Sequence, residues 1–325
     1  MNTSITTGLI NGAFAGALWG IIFLAPAILG DFSPLQLSFG RYVAYGVVSV
    51  VLLGPRLVAV AKGLDRNAWL GLAGLALSGN LVYFFLVAKA VQVAGGAATS
   101  LIVGMVPLVV AVASLRDRGA LPLRRLAPGL LLSMVGVALI AWQALSTEAL
   151  AAPWSGRLVG LLCAVGALLS WSAYSVSNRR MLALRPGMGS HDWSLLTGVV
   201  TGGLALLLTP LALGTPGHDT DRWMLFAGVS TLVAIFASVL GNAFWNRASR
   251  QLPLSLSGQM IVFETLFALL YSFAWQKRWP ELLEYLAIVF LLGGVVFGAR
   301  AHAPRGTASP TADADDCADS ASVHR

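Results

Sequence analysis

The chain has 325 residues, of which 57% are apolar and only 11% are charged, and its mean hydropathy is +0.78. Soluble domains carry about 25% charged residues, so a water-soluble fold is excluded because it could not hide this much apolar surface. The net charge of +7 does not indicate a nucleic-acid partner, because the basic residues are distributed by membrane side. The composition predicts an all-α integral membrane protein.

Ten apolar segments have the length of about 20 residues that a spanning helix needs. The five in the first half are Gly8–Leu29, Pro34–Leu53, Ala68–Val91, Ala94–Leu115 and Leu126–Trp142. The five in the second half are Leu158–Ala183, Ser190–Leu213, Trp223–Arg247, Pro253–Gln276 and Trp279–Arg300. The first segment is too long for the apolar core of a signal peptide, so we expect it to be retained.

The basic residues predict the orientation of the chain. With both termini in the cytoplasm, 15 Lys and Arg residues lie on the inner side and 5 on the outer side. Cytoplasmic loops are enriched in Lys and Arg, so we expect a multi-pass protein of the bacterial inner (plasma) membrane with both termini inside. Residues 301–325 are rich in Ala, Asp and Ser, which predicts a disordered cytoplasmic tail.

The two halves of the chain resemble each other. Placing Gly8 on Gly160 also aligns later tryptophan and alanine residues in the same order. Because each half has five spans, an odd number, the second half would enter the membrane from the opposite side. The sequence therefore predicts an inverted-topology repeat, with residues 1–150 as the first five-helix repeat and 151–300 as the second. Such folds place the substrate near the midplane, between the repeats.

Five short motifs occur in order along the predicted spans. They are Gly16–Gly20, Ser38–Tyr42, Met105–Pro107, Phe263–Glu264 and Leu292–Val295. Together they make the chain resemble the drug/metabolite transporter superfamily, in its ten-helix EamA type. One departure is Thr265, which stands where the family usually has a proline after the glutamate. The resemblance implies a secondary transporter that works by alternating access.

Within this superfamily the chain most resembles the bacterial exporters of aromatic amino acids. This resemblance implies outward transport of Trp, Tyr, Phe and related small compounds. Export of other amino acids, or of lipophilic drugs and metabolites, on the same fold is the alternative. A membrane enzyme is a remote alternative, because no catalytic motif occurs in the sequence. We expect the lipid bilayer and a small molecule as partners, no nucleic acid, a monomer, and neither a cofactor nor a metal.

Aromatic and polar residues at mid-membrane depth predict the substrate site. Trp19 and Trp171 match each other across the repeat, and Trp19 shares a helix face with glycines, which mark the packed side of a membrane helix. The other candidates are Asn80 and Tyr83 in the third span and Tyr174, Ser175 and Asn178 in the sixth. Lipid cannot satisfy their polar groups. Structural packing and hydrogen bonds between helices are the alternatives.

Seven further tryptophans lie at span ends or in outer loops. They are Trp69, Trp142, Trp154, Trp193, Trp223, Trp275 and Trp279. Tryptophan is enriched at membrane interfaces, so we interpret all seven as interface residues.

Arg41 and Glu264 are the charges that lie well inside the predicted spans. A charge at mid-span costs about 2.5–3.5 kcal/mol on insertion scales, and such residues face the bundle interior. Three interpretations stay open: the two residues pair with each other, they contact the substrate, or Glu264 takes part in proton coupling. In a cavity, Arg41 would bind a carboxylate and Glu264 an α-ammonium group.

Pro107 in the fourth span and Thr265 in the ninth predict paired hinges. Proline removes a backbone hydrogen bond and kinks a helix, and threonine can bond back to the preceding turn and bend it. Alternating access requires part of each half to move while the rest stays packed. A static kink is the alternative.

Overall fold

The computed structural model describes residues 3–94, 99, 102–117, 120–147, 154–212 and 218–302. Every regular element in these ranges is a helix, which confirms the all-α prediction for this part of the chain. The last helix extends to Ala301. The predicted tail lies outside the described residues from position 303 onward.

Sixteen α-helices follow one another along the described ranges. Those of the first half are α1 (Thr3–Gly20), α2 (Ala25–Ile28), α3 (Pro34–Leu53), α4 (Arg56–Lys62), α5 (Arg66–Ala76), α6 (Val82–Ala94), α7 (Val106–Ser114) and α8 (Leu123–Thr147). Those of the second half are α9 (Trp154–Ala183), α10 (Ser190–Leu206), α11 (Thr209–Ala212), α12 (Thr220–Val233), α13 (Asn242–Gln251), α14 (Leu254–Gln259), α15 (Val262–Gln276) and α16 (Leu282–Ala301).

Three irregular helical segments join some of these helices into longer rods. A 3₁₀ turn, Ile21–Leu24, joins α1 to α2. Two π-helical segments, Leu77–Leu81 and Ala234–Gly241, join α5 to α6 and α12 to α13. The π segments occupy corresponding places in the third helix of each half, and π-helical turns occur frequently at functional sites.

Seven helices of the described part are long and apolar enough to cross a bilayer. They are Leu35–Leu53, Arg66–Val87, Leu123–Trp142, Leu158–Ala183, Thr220–Gln251, Leu254–Gln276 and Leu282–Ala301. Each overlaps one predicted span, which supports the multi-pass prediction. The other three predicted spans contain α1, α7 and α10, whose helical lengths are 18, 9 and 17 residues. The count of ten spans stays a prediction.

Capping residues fix where the long helices begin. Ser33 Oγ accepts a hydrogen bond from the Gln36 N–H at 3.2 Å, and Gln36 Oε1 accepts one from the Ser33 N–H at 2.8 Å. Asp65 and Asp219 cap α5 and α12 by accepting from the backbone N–H three residues further on. Such caps satisfy donors that the first turn of a helix leaves unpaired. Gly54 ends α3 with φ at +48°, a conformation that favours glycine.

The helices pack largely in pairs taken from the two halves. Helix α3 packs on α10, α8 on α16, and α7 on α14. Helix α1 packs on α13 and α15, and α9 correspondingly packs on α6 and α7. The five long helices of the first half are α1–α2, α3, α5–α6, α7 and α8, and their counterparts in the second half are α9, α10, α12–α13, α14–α15 and α16. If each long helix is replaced by its counterpart, the same set of contacts results.

Glycines bring the backbones of the two halves into contact at two crossings. A Cβ atom added at Gly202 of α10 would lie 2.5 Å from the Cα of Gly46 in α3. A Cβ atom added at Gly129 of α8 would lie 2.9 Å from the backbone nitrogen of Gly298 in α16. Small residues allow such close approach between membrane helices. These glycines therefore serve packing within one chain.

The fourth and ninth predicted spans are both interrupted. A turn at Gly104 and Met105 precedes α7, and a turn at Met260 and Ile261 separates α14 from α15. The N–H of Met105 donates to Ile102 O at 3.1 Å, and that of Ile261 to Gly258 O at 3.4 Å. These i→i−3 bonds replace the regular α-helical pattern at both places.

The two predicted hinge residues lie just after these interruptions. Pro107 is in the first turn of α7, where proline is tolerated because its missing N–H would have no helical partner. It therefore follows a break instead of kinking a continuous helix. Thr265 lies in α15, four residues after Ile261. The helices next to the two interruptions are in contact, since a Cβ atom added at Gly258 of α14 would lie 3.8 Å from the Pro107 Cα of α7.

We expect Pro107→Ala to straighten the helix around α7. Alanine restores a backbone N–H that can donate to the carbonyl one turn earlier, near Val103, and it has the highest helix propensity. The ratio of the inward-open to the outward-open form should then shift, and the turnover number and the apparent substrate affinity should change together. Spin-label distances across both mouths measure the shift, with Pro128→Ala in α8 as the control. Unchanged distances and transport would leave the break as a static feature.

Candidate functional site

Three tryptophans meet in the interior of the bundle. Trp19 of α1 and Trp171 of α9 contact edge to face, with ring centroids 6.2 Å apart. Trp245 of α13 contacts both, at 5.2 Å from Trp19 and 5.6 Å from Trp171. All three side chains are at most 8% exposed. We call Trp19, Trp171 and Trp245 the tryptophan cluster. The structure thus brings together the two tryptophans that the repeat paired.

Polar groups without partners accompany the tryptophan cluster. The Nε1 of Trp245 and the hydroxyl oxygens of Ser172 and Ser175 are buried and form no hydrogen bond within the described part of the chain. In contrast, Trp19 Nε1 donates to the carbonyl of Ala237 in the second π segment at 3.0 Å. A buried polar group without a partner costs about 1–3 kcal/mol. The Trp245 Nε1 belongs to the cluster itself and can donate a hydrogen bond to a polar ligand.

Tyr174 extends the aromatic surface of α9. Its ring centroid lies 5.7 Å from that of Trp171. The ring packs on the first π segment, where a Cβ atom added at Gly79 would lie 2.4 Å from the tyrosine Cδ2. Glycine at this place therefore lets the predicted site residue Tyr174 approach the third helix.

Arg41 of α3 borders a cavity of about 40 Å³. Its Nε donates to Ser238 Oγ in the second π segment at 3.0 Å, and its guanidinium carbon lies 5.1 Å from the centre of the Tyr42 ring. The rest of the cavity wall is almost entirely apolar: Ile22, Ala25, Leu29, Leu37, Phe84, Val229, Ser230 and Val233. Neither Trp19 nor Trp171 borders this cavity, so the cavity and the tryptophan cluster are separate features.

Glu264 faces the same region from α15. It is partly buried, and its carboxylate lies within electrostatic reach of Arg41, Tyr42 and Tyr83. The described residues contain no ion pair between Glu264 and Arg41. A mutual structural ion pair is therefore not formed in this conformation. Two opposite charges and the predicted site residue Tyr83 instead share one region between α3, α6 and α15.

Two other predicted site residues are already engaged in hydrogen bonds between helices. Asn80 Nδ2 donates to Thr201 Oγ1 at 3.0 Å. Asn178 Oδ1 accepts from Trp193 Nε1 at 2.9 Å, and its Nδ2 donates to Asn246 Oδ1 at 2.8 Å. These bonds favour the structural alternative for both asparagines.

The interface interpretation is wrong for one of the seven tryptophans. Trp193 is only 1% exposed, because its indole nitrogen finds a polar partner inside the bundle. Trp142, Trp275 and Trp279 are exposed, as expected of residues at the membrane surface. Trp154 belongs to the residues whose side chains are not described.

Sequence reasoning missed Trp245, although a signal for it exists. Asn242, Trp245, Asn246 and Ser249 follow one another at the i, i+3, i+4 and i+7 spacing of one helix face, and all four are buried. A polar stripe on an otherwise apolar span indicates a face turned toward protein or a wet cavity. No group of three or more His, Cys, Asp or Glu side chains within the described ranges could hold a metal ion.

The sequence profile of the EamA-like transporter family matches residues 6–142 and 158–299. The chain belongs to this family. The transporter is 31% identical to the Inner membrane protein YtfF of Escherichia coli (strain K12), over 91% of this chain and 95% of that protein. It is 24% identical to the Uncharacterized transporter YyaM of Bacillus subtilis (strain 168), over 80% of this chain and 82% of that protein.

A solved crystal structure has a similar fold. Its TM-score with the transporter is 0.68 at 20% sequence identity, covering 90% of this chain and 97% of that chain. At this identity the likeness concerns the fold alone. Family and fold together make the chain a multi-pass membrane transporter of the drug/metabolite transporter superfamily, with relatives in the inner membrane.

Proposed function

We propose that this transporter exports zwitterionic amino acids with apolar side chains, above all Trp, Tyr and Phe, from the bacterial cell. The observation on which the proposal rests is the unpaired placement of Arg41 and Glu264. An α-amino acid presents one carboxylate and one ammonium group, and two separate opposite charges in a partly buried site match that pattern. In this arrangement Arg41 binds the carboxylate and Glu264 the ammonium group.

The tryptophan cluster would hold the side chain of the substrate. Aromatic rings prefer edge-to-face or offset packing with other rings, and the three indoles already contact one another in this way. The free Nε1 of Trp245 and the free hydroxyl of Ser175 add polar contacts for an indole or phenol substituent. In this conformation the rings contact each other, so substrate entry would require them to separate.

Alternating access on ten spans in two inverted repeats would supply that separation. Three observations support this part of the proposal. The helix packing is unchanged when the halves are exchanged, the π segments occupy corresponding helices, and the family profile matches one stretch in each half, 6–142 and 158–299. The basic residues predict both termini in the cytoplasm, and the resemblance to exporters of aromatic amino acids implies outward transport.

A second candidate substrate class is favoured by the size of the cavity at Arg41. Its volume of about 40 Å³ is well below the roughly 150 Å³ of an apolar cavity that admits benzene. A branched aliphatic side chain such as that of valine or leucine fits a smaller space. Export of aliphatic amino acids is therefore the alternative within the same chemistry.

The test is counterflow in proteoliposomes that contain labelled tryptophan. The competitors are phenylalanine, leucine, tryptamine, which lacks the carboxylate, and indole-3-propionate, which lacks the ammonium group. We expect phenylalanine to compete well and the two analogues to compete about tenfold less or worse, because each leaves one buried charge unpaired. Stronger competition by leucine selects the aliphatic alternative. Equal competition by tryptamine and tryptophan would exclude recognition of a zwitterion.

We expect Trp171→Ala to lower transport per folded molecule about tenfold or more, because truncating a buried aromatic anchor removes much of its binding energy. The same change at Trp279, which is 85% exposed, should leave transport unchanged. Detergent-solubilised yield measures folding, and counterflow measures transport. If Trp171→Ala lowers transport only in proportion to its loss of yield, the cluster serves only packing.

A further inference from the structure

An ion pair joins the two halves of the chain at one end of the bundle. The connection between α2 and α3 contains Asp31, and Arg222 lies in the first turn of α12. Arg222 Nε donates to Asp31 Oδ2 at 3.0 Å, and Arg222 Nη2 donates to Asp31 Oδ1. His218 Nδ1 lies 3.3 Å from the same carboxylate. The guanidinium holds the pKa of the Asp31 carboxyl below its usual range. A bidentate pair of this kind is specific in geometry.

An aromatic layer lies directly beneath this ion pair. Phe32 stacks between His218, at a centroid distance of 4.0 Å, and Phe226, at 4.6 Å. Leu29, Phe32 and Phe226 form a small buried core of their own. Leu29 also borders the cavity at Arg41. Through Leu29 the aromatic layer and the ion pair above it therefore adjoin the cavity at this end.

A second ion pair lies at the opposite end of the bundle. Asp65 precedes α5, and Arg185 lies in the connection between α9 and α10. Their contact is a single one, from Arg185 Nη2 to Asp65 Oδ1 at 3.4 Å, and the Asp65 side chain is 64% exposed. Helix α3, whose 20 residues span about 30 Å, separates the Asp31 connection from the Asp65 connection. The two pairs thus face opposite sides of the membrane.

The two pairs occupy corresponding places in the two halves, with the charges exchanged. Asp31 and Arg185 each lie in the connection between the first and second long helices of their own half. Arg222 and Asp65 each lie at the start of the third long helix of the other half. Each pair therefore joins one half to the other at one mouth.

We propose that Asp31–Arg222 and Asp65–Arg185 are the latches of the two mouths of the transport path, and that each opens as the other tightens. The inference rests on the proposed alternating-access function. In this conformation the Asp31 latch is closed, since it has two hydrogen bonds and an aromatic layer behind it. The Asp65 latch has one long contact and is the looser of the two.

A cysteine in the cavity reports which mouth is open. The background protein has Cys163→Ala and Cys317→Ala, and the reporter is Ser230→Cys, which borders the cavity at Arg41. A membrane-impermeant maleimide is added to the side on which Asp31 lies. We expect Asp31→Asn to raise the labelling rate about fivefold, the upper end for loss of an exposed ion pair. Arg222→Gln should do the same.

Three further variants make the test specific. The exchange of charges, Asp31→Arg with Arg222→Asp, should return labelling toward the parental rate. Asp65→Asn should lower labelling from the Asp31 side, because it favours opening of the other mouth. Asp221→Asn, which removes a neighbouring exposed charge that is not in the latch, should change nothing. The proposal is overturned if both single variants leave the rate unchanged, or if Asp65→Asn raises it.

The labelling assay needs no substrate, so the two proposals fail separately. If the latch variants change the labelling rate as expected but no amino acid is transported, the proposed substrate class is overturned and the latch proposal stands. Unaltered labelling together with normal amino-acid counterflow would overturn the latches and leave the substrate class.

Discussion

Replacing Gly202 by alanine is expected to abolish most of the folded protein, whereas the same change at Gly203 should leave the yield unchanged. The new Cβ atom at position 202 would lie 2.5 Å from the Cα and 3.1 Å from the nitrogen of Gly46, and 3.2 Å from the carbonyl oxygen of Tyr42. These are backbone atoms and cannot rotate away. At Gly203 no atom of the described residues lies within 4 Å of the added atom.

The comparison isolates the contact between α3 and α10. Alanine favours the helix over glycine by about 1 kcal/mol at both positions. The difference in stability between the two variants therefore measures the clash. Overpacking in a tight core costs about 1–3 kcal/mol, and contact between two backbones should reach the upper end. Size-exclusion profiles and thermal midpoints in detergent measure the effect. Equal midpoints for the two variants would mean that the helices can move apart without loss of packing.

Changing Glu264 to glutamine is expected to lower kcat/KM for tryptophan by about 10–100-fold, the range for losing a hydrogen bond to a charged group. The loss should be specific to the ammonium group. Indole-3-propionate, which has none, should then compete almost as well as tryptophan. Arg41→Gln should lower kcat/KM for tryptophan in the same way. Tryptamine, which has no carboxylate, should then compete almost as well as tryptophan.

Testing both variants with both analogues distinguishes an effect on substrate binding from an effect on the fold. Arg41→Lys keeps the charge but loses the planar guanidinium that binds Ser238, so it should retain part of the activity. If Glu264→Gln weakens tryptophan and indole-3-propionate equally, the carboxylate supports the fold instead of the substrate. If counterflow stays normal and only uptake driven by a pH gradient is lost, Glu264 takes part in proton coupling instead of binding the ammonium group.

Two of the three tryptophans at the centre of the bundle were predictable, because tryptophan occurs at matching positions in both repeats. Trp19 and Trp171 match in depth and face, and helical periodicity alone then points both into the interior. Trp245 has no aromatic counterpart. When Arg247–Ala248 of the second half is placed on the similar pair Lys89–Ala90 of the first half, Trp245 falls on Val87. The repeat therefore gave no indication that Trp245 contacts the other two tryptophans.

Long-range partners explain most of what the sequence left open. Arg41 binds Ser238, which is 197 positions away, and no local pattern connects them. Trp193 looked like an interface residue because it stands at a span end, but its partner Asn178 on another helix draws it inside. Tertiary contacts of this kind override position within a span.

The interrupted helices were predictable only in part. Pro107 and Gly104 are local signals for a break in the fourth span. Met260 and Ile261 are ordinary apolar residues, so the turn between α14 and α15 is visible only in the hydrogen bonds. Thr265, the predicted hinge residue, lies four residues after this turn, and its role as a hinge stays a prediction.

The break before α15 gives the carboxylate of Glu264 a special position. Glu264 lies in the first turn of a helix, where the macrodipole stabilises a negative charge by about 0.3–1 kcal/mol. If the turn at Met260 and Ile261 straightened into continuous helix, that N-terminus would disappear and the stabilisation with it. Helix geometry and side-chain charge are then thermodynamically linked, and linkage is reciprocal. Whatever neutralises Glu264, whether an ammonium group or a proton, also makes it easier for the helix to straighten.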